Sequence, residues 1–267
     1  METPVRSTTL ALDLGNSFAK AAVFVGGALA GPIVRFEYPN WEVADGLVTN
    51  HGVENIVYSS VANVPPRELM DKWTKAQRRV ISLQAGNPLP FPSRYATPET
   101  LGQDRIAAVL GCLASFPPNT APATTPTPAR DSGAKLIVDA GTCVTTDLLD
   151  GTGTHLGGNI SPGVRMRLRA MHEFTAKLPE PEPAAVEGAV GSTTVSALRH
   201  GAQLGLVYEL EGLYFRLLPA HPGLELVLTG GDGEWLAEKL SVPCSLRPDL
   251  VLRGLLQLTS IYVRNES

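Results

Sequence analysis

The chain has 267 residues, of which 43% are hydrophobic and 18% are charged, as is typical of a globular protein of two ordinary domains or one large α/β unit. The net charge of −4 and the lack of a Lys/Arg run argue against a nucleic-acid partner. No stretch approaches ~18–20 apolar residues and the three cysteines are widely spaced, so we expect no membrane partner and a reduced, cytoplasmic location.

The first part of the chain predicts a strand meander followed by helices. Its first strand ends in Gly15-Asn16-Ser17, and Gly26-Gly27 separates the next two strands. Helical spacing of apolar residues and Pro65-Pro66 indicate where the helices lie. The predicted strands are Thr8–Leu14, 20–25, 29–36 and 55–61, and the predicted helices are 67–78 and 99–116.

Residues 117–133 differ in kind from the rest of the chain. They are rich in Pro, Thr and Ala and contain almost no large apolar side chain. Because such a segment buries too little surface to offset its ordering entropy, we predict a flexible loop. This loop divides the chain into an N-terminal subdomain, 1–116, and a C-terminal subdomain, 134–267.

The second part of the chain repeats the beginning of the first. Residues 9–24 and 135–149 share an apolar strand that ends in Asp-x-Gly and is followed by a second strand. Two such halves facing each other across a cleft are therefore expected. The predicted strands are Lys135–Ala140, Cys143–Leu149, 155–160 and 225–229, and the predicted helices are 163–174, 192–217, 233–240 and 250–263.

The two Asp-x-Gly turns have the composition of phosphate-binding loops. A glycine lets backbone N–H groups approach a phosphate closely, and Asn16, Ser17 and Lys20 add side-chain donors. Asp13 at the end of a strand is suited to Mg²⁺, which prefers oxygen ligands. An ordinary hairpin turn is the alternative for either turn alone, but a matched pair favours the phosphate interpretation.

A third turn, Thr229–Asp232 (TGGD), also follows a strand and precedes a helix. A Gly pair at this place lets a nucleotide base and ribose lie against the backbone, although a simple turn with Asp232 as helix N-cap is the alternative. The order of the three turns is that of the phosphate-1, phosphate-2 and adenosine motifs of the actin-like superfold, a likeness that selects no substrate.

The segment Gly102-Gln103-Asp104-Arg105 adds a candidate for acid–base chemistry. Phosphoryl transfer to an alcohol requires a carboxylate that accepts or orients the hydroxyl proton, and Arg105 offers a rigid fork for a substrate carboxylate. The alternative is an aspartate in the first turn of a helix, where the helix dipole favours it.

With these residues in view, the chain resembles the type III pantothenate kinase family over nearly its whole length. The most specific likeness is the pattern Tyr-x-x-Pro-x-x-Leu-Gly-x-Asp-Arg at 95–105, followed in order by GG-x-I-x-PG and LP elements. The matching stretches are 12–20, 59–61, 95–105, 137–147, 156–163, 175–179, 191–201, 229–231 and 248–255.

The resemblance implies a fold, an activity and partners. The fold is α/β, with duplicated actin-like (ribonuclease H-like) subdomains, each a mixed five-stranded sheet flanked by helices, and ATP in the cleft. The activity is phosphorylation of pantothenate by ATP to 4′-phosphopantothenate, the first step of coenzyme A biosynthesis, with Mg²⁺ and a monovalent cation, K⁺ or NH₄⁺. The family is homodimeric, and its pantothenate site lies at the subunit interface.

The resemblance also assigns roles to individual residues. It implies that Asp104 is the catalytic base and that Asp139 holds the monovalent cation. The implied ATP-binding residues are Asp13, Leu14, Gly15, Asn16, Ser17, Phe18, Ala19, Lys20 and Thr142. The implied pantothenate-binding residues are Tyr95, Gly102, Gln103, Asp104, Arg105 and, closing the site, Thr194.

Three positions depart from the usual family residues. Ser17 stands for Thr, Cys143 for Ala and Thr193 for Asn, and only the last is expected to alter contacts to pantothenate. Two other functions stay open at this point: a kinase for another small hydroxylated metabolite, and a non-catalytic regulatory homologue similar to Bvg accessory factor. Retention of Asp13, Asp104, Arg105 and Asp139 argues against the regulatory role.

Overall fold

The computed structural model describes residues 7–61, 63–83, 88–115 and 133–265. The flexible loop predicted at 117–133 therefore lies outside the described residues, apart from Gly133. The chain forms two compact units, one of Met1–Pro117 with Asp249–Ser267 and the other of Pro118–Pro248. This division differs from the two subdomains expected from the sequence, because the C-terminal residues belong to the first unit.

The first unit is built on a mixed sheet whose central strand carries Asp13 at its end. The strand order is β3-β2-β1-β5-β6, and β4 also pairs with β2. Strands β1 and β2 are antiparallel, whereas β1, β5 and β6 are parallel. The strands are β1 (Thr8–Leu14), β2 (Phe18–Val25), β3 (Ala28–Leu29), β4 (Val34–Glu37), β5 (Asn55–Ser60) and β6 (Arg79–Ser82).

The sheet has six strands, where five were expected, because the strand predicted at 29–36 is interrupted. Both pieces, β3 and β4, pair with β2 along the same edge. Pro32 lies between them and has no N–H to donate to a ladder, which explains the break.

The helices that precede residue 116 in this unit are α1 (Glu42–Asn50), α2 (Arg67–Lys75) and α3 (Gln103–Ser115). The core between sheet and helices contains Leu10, Leu12 and Ile56 from the strands and Trp73 from α2, all at most 1% exposed. Asp45 joins α1 to α2, since it accepts hydrogen bonds from the Lys72 ammonium at 2.6 Å and the Trp73 indole at 3.1 Å.

The second unit contains a five-stranded sheet of order β11-β10-β7-β8-β9. Strands β7, β8 and β9 form an antiparallel meander, and β10 and β11 continue the sheet in parallel with β7. This is the strand order and sense of the first unit, so the predicted duplication is confirmed. The strands are β7 (Lys135–Ala140), β8 (Cys143–Leu149), β9 (His155–Pro162), β10 (Glu225–Gly230) and β11 (Cys244–Leu246).

The helices of this unit are α4 (Val164–Glu173), α5 (Thr194–Leu217) and α6 (Gly233–Lys239). Leu206 and Leu210 of α5 pack with Leu136, Leu226 and Leu228 in one hydrophobic core. Burial of these side chains supplies most of the driving force for the unit, at about 1.5–3 kcal/mol for each large apolar residue.

The last helix, α7 (Leu250–Asn265), packs against α3 and against β1 and β5 of the first unit. Two glycines make this contact close: a Cβ at Gly254 would lie 1.7 Å from the carbonyl oxygen of Ala107, and a Cβ at Gly111 would lie 1.9 Å from that of Leu250. The helices therefore meet backbone to backbone. Among the described residues, no helix combines the length and the apolar character needed to cross a membrane.

Candidate active site

The first Asp-x-Gly turn connects β1 to β2. The last strand pair is Leu14 with Ala19, and the Gly15 N–H donates to the Phe18 carbonyl at 3.2 Å to close the turn. Asn16 and Ser17 are exposed at its tip. The hairpin therefore exposes two polar side chains at its tip, which suits a phosphate-binding loop.

Tyr38 supports this turn, although no sequence pattern identified it. Its hydroxyl donates to the carbonyl of Gly15 at 3.0 Å. Burial, followed by the negative charge of Asp13, raises the pKa of Tyr38 to about 12, although a hydrogen bond with Asn63 opposes the shift. The phenol consequently stays protonated and keeps donating to the turn throughout the physiological range.

The strand register places a row of polar residues across the first sheet. Asp13 pairs with Lys20 on β2 and with Ser59 on β5, and Lys20 pairs in turn with Arg35 on β4. Arg35 lies with its guanidinium carbon 3.6 Å from the centre of the Phe18 ring. Two cations thus stand beside the turn, and sequence reasoning had identified only Lys20.

Asp13 is the acidic centre of this row. The Ser59 hydroxyl donates to its Oδ1 at 3.3 Å. Burial raises the pKa of Asp13 above its ordinary value of 3.8, Lys20 opposes this shift, and the negative charge of Asp104 adds to it. Asp13 and Asp104 are thus close enough to repel each other.

Asp104 lies in the first turn of α3, where its Oδ1 accepts the Arg105 backbone N–H at 2.9 Å. The preceding residue, Gln103, accepts the Ser60 backbone N–H with its side-chain oxygen at 2.9 Å. The lack of a side chain at Gly102 leaves space for the Asp104 carboxylate, because a Cβ at Gly102 would lie 2.6 Å from Asp104 Oδ1.

Arg105 and Tyr95 lie together beside this turn. Arg105 is only 3% exposed, its Nη1 donates to the Tyr95 hydroxyl at 3.5 Å, and its guanidinium carbon is 5.3 Å from the Tyr95 ring centre. The expected pantothenate residues of the first unit, Tyr95 and Gly102–Arg105, thus surround the start of one helix. Arg105 is held largely inside the unit rather than extended into solvent.

The second Asp-x-Gly turn connects β7 to β8 and, like the first, is closed by a hydrogen bond from its glycine N–H, although it is one residue shorter. The Gly141 N–H donates to the Cys143 carbonyl at 2.9 Å, and the Gly163 N–H donates to the Thr142 carbonyl at 3.0 Å. A Cβ at Gly163 would lie 2.1 Å from the Gly141 carbonyl oxygen, so only glycine permits this approach. The side chain of Thr142 is exposed, and Asp139 lies at the end of β7.

The Gly-Gly turn after β10 lies directly beside the second turn. Strand register pairs Thr229 with Asp139 and Gly230 with Ala140, and the Asp232 N–H donates to the Ala140 carbonyl at 3.0 Å. Gly230 has a φ of +92°, and a Cβ there would lie 2.2 Å from that carbonyl oxygen. The second and third predicted turns therefore form one glycine-lined surface in the second unit.

Thr194 is exposed as the first residue of α5. Before it, Thr193 caps the helix: its hydroxyl accepts the Ser196 N–H at 3.1 Å, and the Ser196 hydroxyl accepts the Thr193 N–H at 2.9 Å. Thr and Asn are both good N-caps, so Thr193 in place of the Asn that is usual in the family preserves the start of the helix.

The oxygen ligands that Asp13 offers suit a magnesium ion better than a transition metal. In the described parts of the chain, no group of three or more His, Cys, Asp and Glu side chains is placed to hold a metal. Mg²⁺ needs only one or two carboxylates together with phosphate oxygens and water. A cation beside Asp13 would also relieve its repulsion with Asp104.

Comparison with known proteins identifies relatives along most of the chain. The family model described as type III pantothenate kinase matches residues 9–216. A type III pantothenate kinase of Phocaeicola vulgatus is 34% identical over 251 residues, which cover 94% of this chain and 97% of the relative. A type III pantothenate kinase of Porphyromonas gingivalis is 35% identical over 257 residues, which cover 93% of this chain and 96% of the relative.

Solved structures show the same architecture at lower sequence identity. A Baf family protein of Campylobacter jejuni, named as a transcriptional activator, has a TM-score of 0.55 at 23% identity and covers 96% of this chain and 99% of its own. A protein of Sinorhizobium meliloti, named as a 2-dehydro-3-deoxygalactonokinase, has a TM-score of 0.55 at 14% identity. The match covers 95% of this chain and 96% of that protein. These likenesses concern the fold alone and confirm the duplicated actin-like architecture.

Proposed function

The chain belongs to the type III pantothenate kinase family, and from that premise we propose that it transfers the γ-phosphoryl group of ATP to the primary hydroxyl of pantothenate. The products are ADP and 4′-phosphopantothenate. The observation that carries the proposal is the placement of Asp104 in the first turn of α3, which Gln103 joins to the end of β5 next to Ser59, the residue that donates to Asp13 of the phosphate turn.

In the first unit, the turn of residues 13–20 binds the ATP phosphates through its amides, its Asn16 and Ser17 side chains and the Lys20 ammonium. The exposure of the turn and the hydrogen bond from the Tyr38 hydroxyl to the Gly15 carbonyl, which holds the turn in place, favour this role. Asp13 would hold Mg²⁺, directly or through water, and the ion would neutralise charge on the phosphates.

In the second unit, Thr142 contributes to ATP binding and the neighbouring Gly230-Gly231 turn accommodates the adenosine. The close approach of Gly230 to Ala140 supports a shared surface for both parts of the nucleotide. Asp139 would be the carboxylate ligand of a monovalent cation, a role that rests on the family resemblance.

Asp104 accepts or orients the proton of the pantothenate hydroxyl during transfer. Its carboxylate lies at the start of a helix and is held by the Arg105 amide, so its orientation is set before substrate arrives. Tyr95 and Arg105 bind pantothenate around it, and Thr194 contributes from the start of α5.

Asp104→Asn tests the proposal. The variant should release ADP from ATP, Mg²⁺, K⁺ and pantothenate about 10²–10⁴-fold more slowly than wild type, the usual contribution of a general base. Its thermal midpoint should not fall, because the repulsion with Asp13 is removed. Glu99→Gln, an exposed acid five residues earlier, is the matched control and should keep wild-type turnover.

Near-normal turnover of Asp104→Asn would exclude the base role. Turnover of a different alcohol at a higher kcat/KM than pantothenate would instead favour a kinase for another hydroxylated metabolite. ATP binding without turnover of any acceptor would favour the regulatory homologue.

We also propose that the protein is a homodimer. The second unit exposes apolar side chains of unusual size, with Phe174 and Val190 84%, Tyr208 53% and Phe215 59% exposed. A second copy of the chain would cover such a surface. Sedimentation equilibrium at micromolar concentration should give twice the chain mass of 28.3 kDa, and a single species of 28.3 kDa would contradict the proposal.

A further inference from the structure

The carboxyl end of β5 is linked by two adjacent residues to Asp13 and to the helix that carries Asp104. Ser59 lies beside Asp13 in the parallel register of β1 and β5, and it is 1% exposed. Its hydroxyl donates to Asp13 Oδ1 at 3.3 Å. A buried hydroxyl that donates to a carboxylate favours one orientation of that carboxylate.

Ser60 contacts the helix that carries Asp104. Strand β6 ends at Ser82, which pairs with Tyr58, so the next N–H of β5 on that side, that of Ser60, points past the end of the ladder. The side-chain oxygen of Gln103 accepts this N–H at 2.9 Å and replaces the missing strand carbonyl. Gln103 is the first residue of α3, and Asp104 follows it.

The end of β5 is itself held on two sides. The Ser60 hydroxyl donates to the Asn63 carbonyl at 2.6 Å, and the Val61 N–H donates to the Leu14 carbonyl at 3.2 Å. The end of β5 is therefore joined by hydrogen bonds to the strand that carries Asp13 and to the helix that carries Asp104, and it can hold these two elements in a constant relative position.

We propose that Ser59 and Gln103 are positioning residues for phosphoryl transfer, which set the relative placement of Asp13 and Asp104 through the end of β5. The inference rests on the proposed kinase activity and goes beyond it. Neither residue needs to touch the reacting atoms for this role. Gln103 then acts chiefly through Ser60, whereas the family resemblance implies a contact to pantothenate.

The experiment compares Ser59→Ala and Gln103→Met with wild type in the full-length protein. Each variant removes one hydrogen bond of the link, and we expect kcat to fall about 10-fold in each, with the KM for ATP and for pantothenate changed less than about 3-fold. Ser59→Thr keeps the hydroxyl and should recover at least about half of the wild-type kcat.

Two further measurements separate positioning from a general loss of structure. Tyr58→Phe is a control on the same strand, since its hydroxyl lies 4.0 Å from the Met70 sulfur and contacts neither carboxylate, and it should keep wild-type kcat. Amide hydrogen exchange at Ser60 should accelerate at least 10-fold in Gln103→Met and remain unchanged in Tyr58→Phe.

A Gln103→Met variant with normal kcat and a strongly raised KM for pantothenate would overturn the inference and make Gln103 a substrate contact. Normal kinetics in both Ser59→Ala and Gln103→Met would also overturn it, while leaving the kinase activity in place. A wild-type chain that releases no ADP in the presence of pantothenate would overturn the proposed function and the inference together.

Discussion

Gly102 is a residue at which the absence of a side chain matters for the proposed active site. A Cβ there would lie 2.6 Å from Asp104 Oδ1, which is closer than non-bonded atoms approach. The Asp104 carboxylate would have to rotate, whereas the backbone of Gly102 is not in the left-handed region and tolerates alanine. The site and the fold therefore respond differently to the same substitution.

Gly102→Ala should lower kcat about 10–100-fold, because a carboxylate displaced by about an ångström is no longer oriented on the hydroxyl. The free energy of unfolding should stay within about 0.5 kcal/mol of wild type or rise, since alanine restricts the unfolded chain. Steady-state kinetics and urea unfolding measure the two effects.

Gly46→Ala in α1 is the control for Gly102→Ala, since its Cβ would meet no atom within 4 Å. It should raise stability slightly without changing kcat. A Gly102→Ala protein with wild-type kcat would show that the Asp104 carboxylate is not oriented as the structure has it.

At the scale of elements, short strands depend on side-chain contacts that sequence periodicity does not reveal. Strand β11 has only three residues, and Glu225 of β10 joins it to the sheet. The Ser245 hydroxyl donates to Glu225 Oε1 at 2.6 Å, and the Lys135 ammonium donates to Oε2 at 2.7 Å. Glu225 thus connects β11, β10 and β7.

This contact makes part of the stability depend on pH. Burial alone would raise the pKa of Glu225, but the hydrogen bonds from Lys135 and Ser245 and the charge of Lys135 lower it below the ordinary value of 4.5. A carboxyl whose pKa is lower in the folded state stabilises the protein above 4.5, and this contribution is lost as the pH falls through the lowered pKa.

Glu225→Gln should therefore lower the free energy of unfolding by about 1 kcal/mol at neutral pH, with the partial exposure of the pair taken into account. The difference from wild type should shrink as the pH falls below 4.5, since wild type then loses its charge as well. Chemical unfolding across this range measures it. Glu238→Gln, at an exposed position of α6, is the control and should unfold with the same free energy as wild type. If the difference in free energy of unfolding between Glu225→Gln and wild type persisted in acid, the charge of Glu225 would not be its cause.

At the scale of the whole molecule, the chain returns to its first unit at its C-terminus. Helix α7 packs on α3 and on strands β1 and β5, so the helix that begins with Gln103 and Asp104 is held on its other side by the last element of the chain. The contact depends on Gly111 and Gly254, which let the two backbones approach.

Gly254→Ala should separate these helices, because the new Cβ would lie 1.7 Å from the Ala107 carbonyl oxygen. We expect the free energy of unfolding to fall by about 2–3 kcal/mol, in the range of overpacked contacts. Hydrogen exchange should accelerate in α3 and α7 and not in β7 and β10 of the second unit.

Gly212→Ala is the control for Gly254→Ala: it lies at an exposed position of α5, and its Cβ would meet no atom within 4 Å. It should be neutral or stabilising. Equal stability of Gly254→Ala and wild type would show that α7 does not pack closely on α3.

The sequence by itself determined the fold class, the family and the long elements. Apolar strands that end in Asp-x-Gly at residues 13–15 and 139–141 predicted the duplicated sheets, because a buried strand and a glycine turn leave a local signature. Strands Thr8–Leu14, Lys135–Ala140 and Cys143–Leu149 were predicted with the bounds that the structure gives them. The roles assigned to Asp104, Asp139 and Thr142 stay predictions.

Other features were decided only by the tertiary structure. Helix α1 and strands β6 and β11 were not predicted: the two strands are short, and α1 is joined to α2 by a tertiary contact of Asp45 with Trp73. The assignment of α7 to the first unit, the support of Gly15 by Tyr38 and the contact of Ser60 with Gln103 join residues far apart in the chain. Such contacts follow from strand order and helix packing, which local periodicity does not encode.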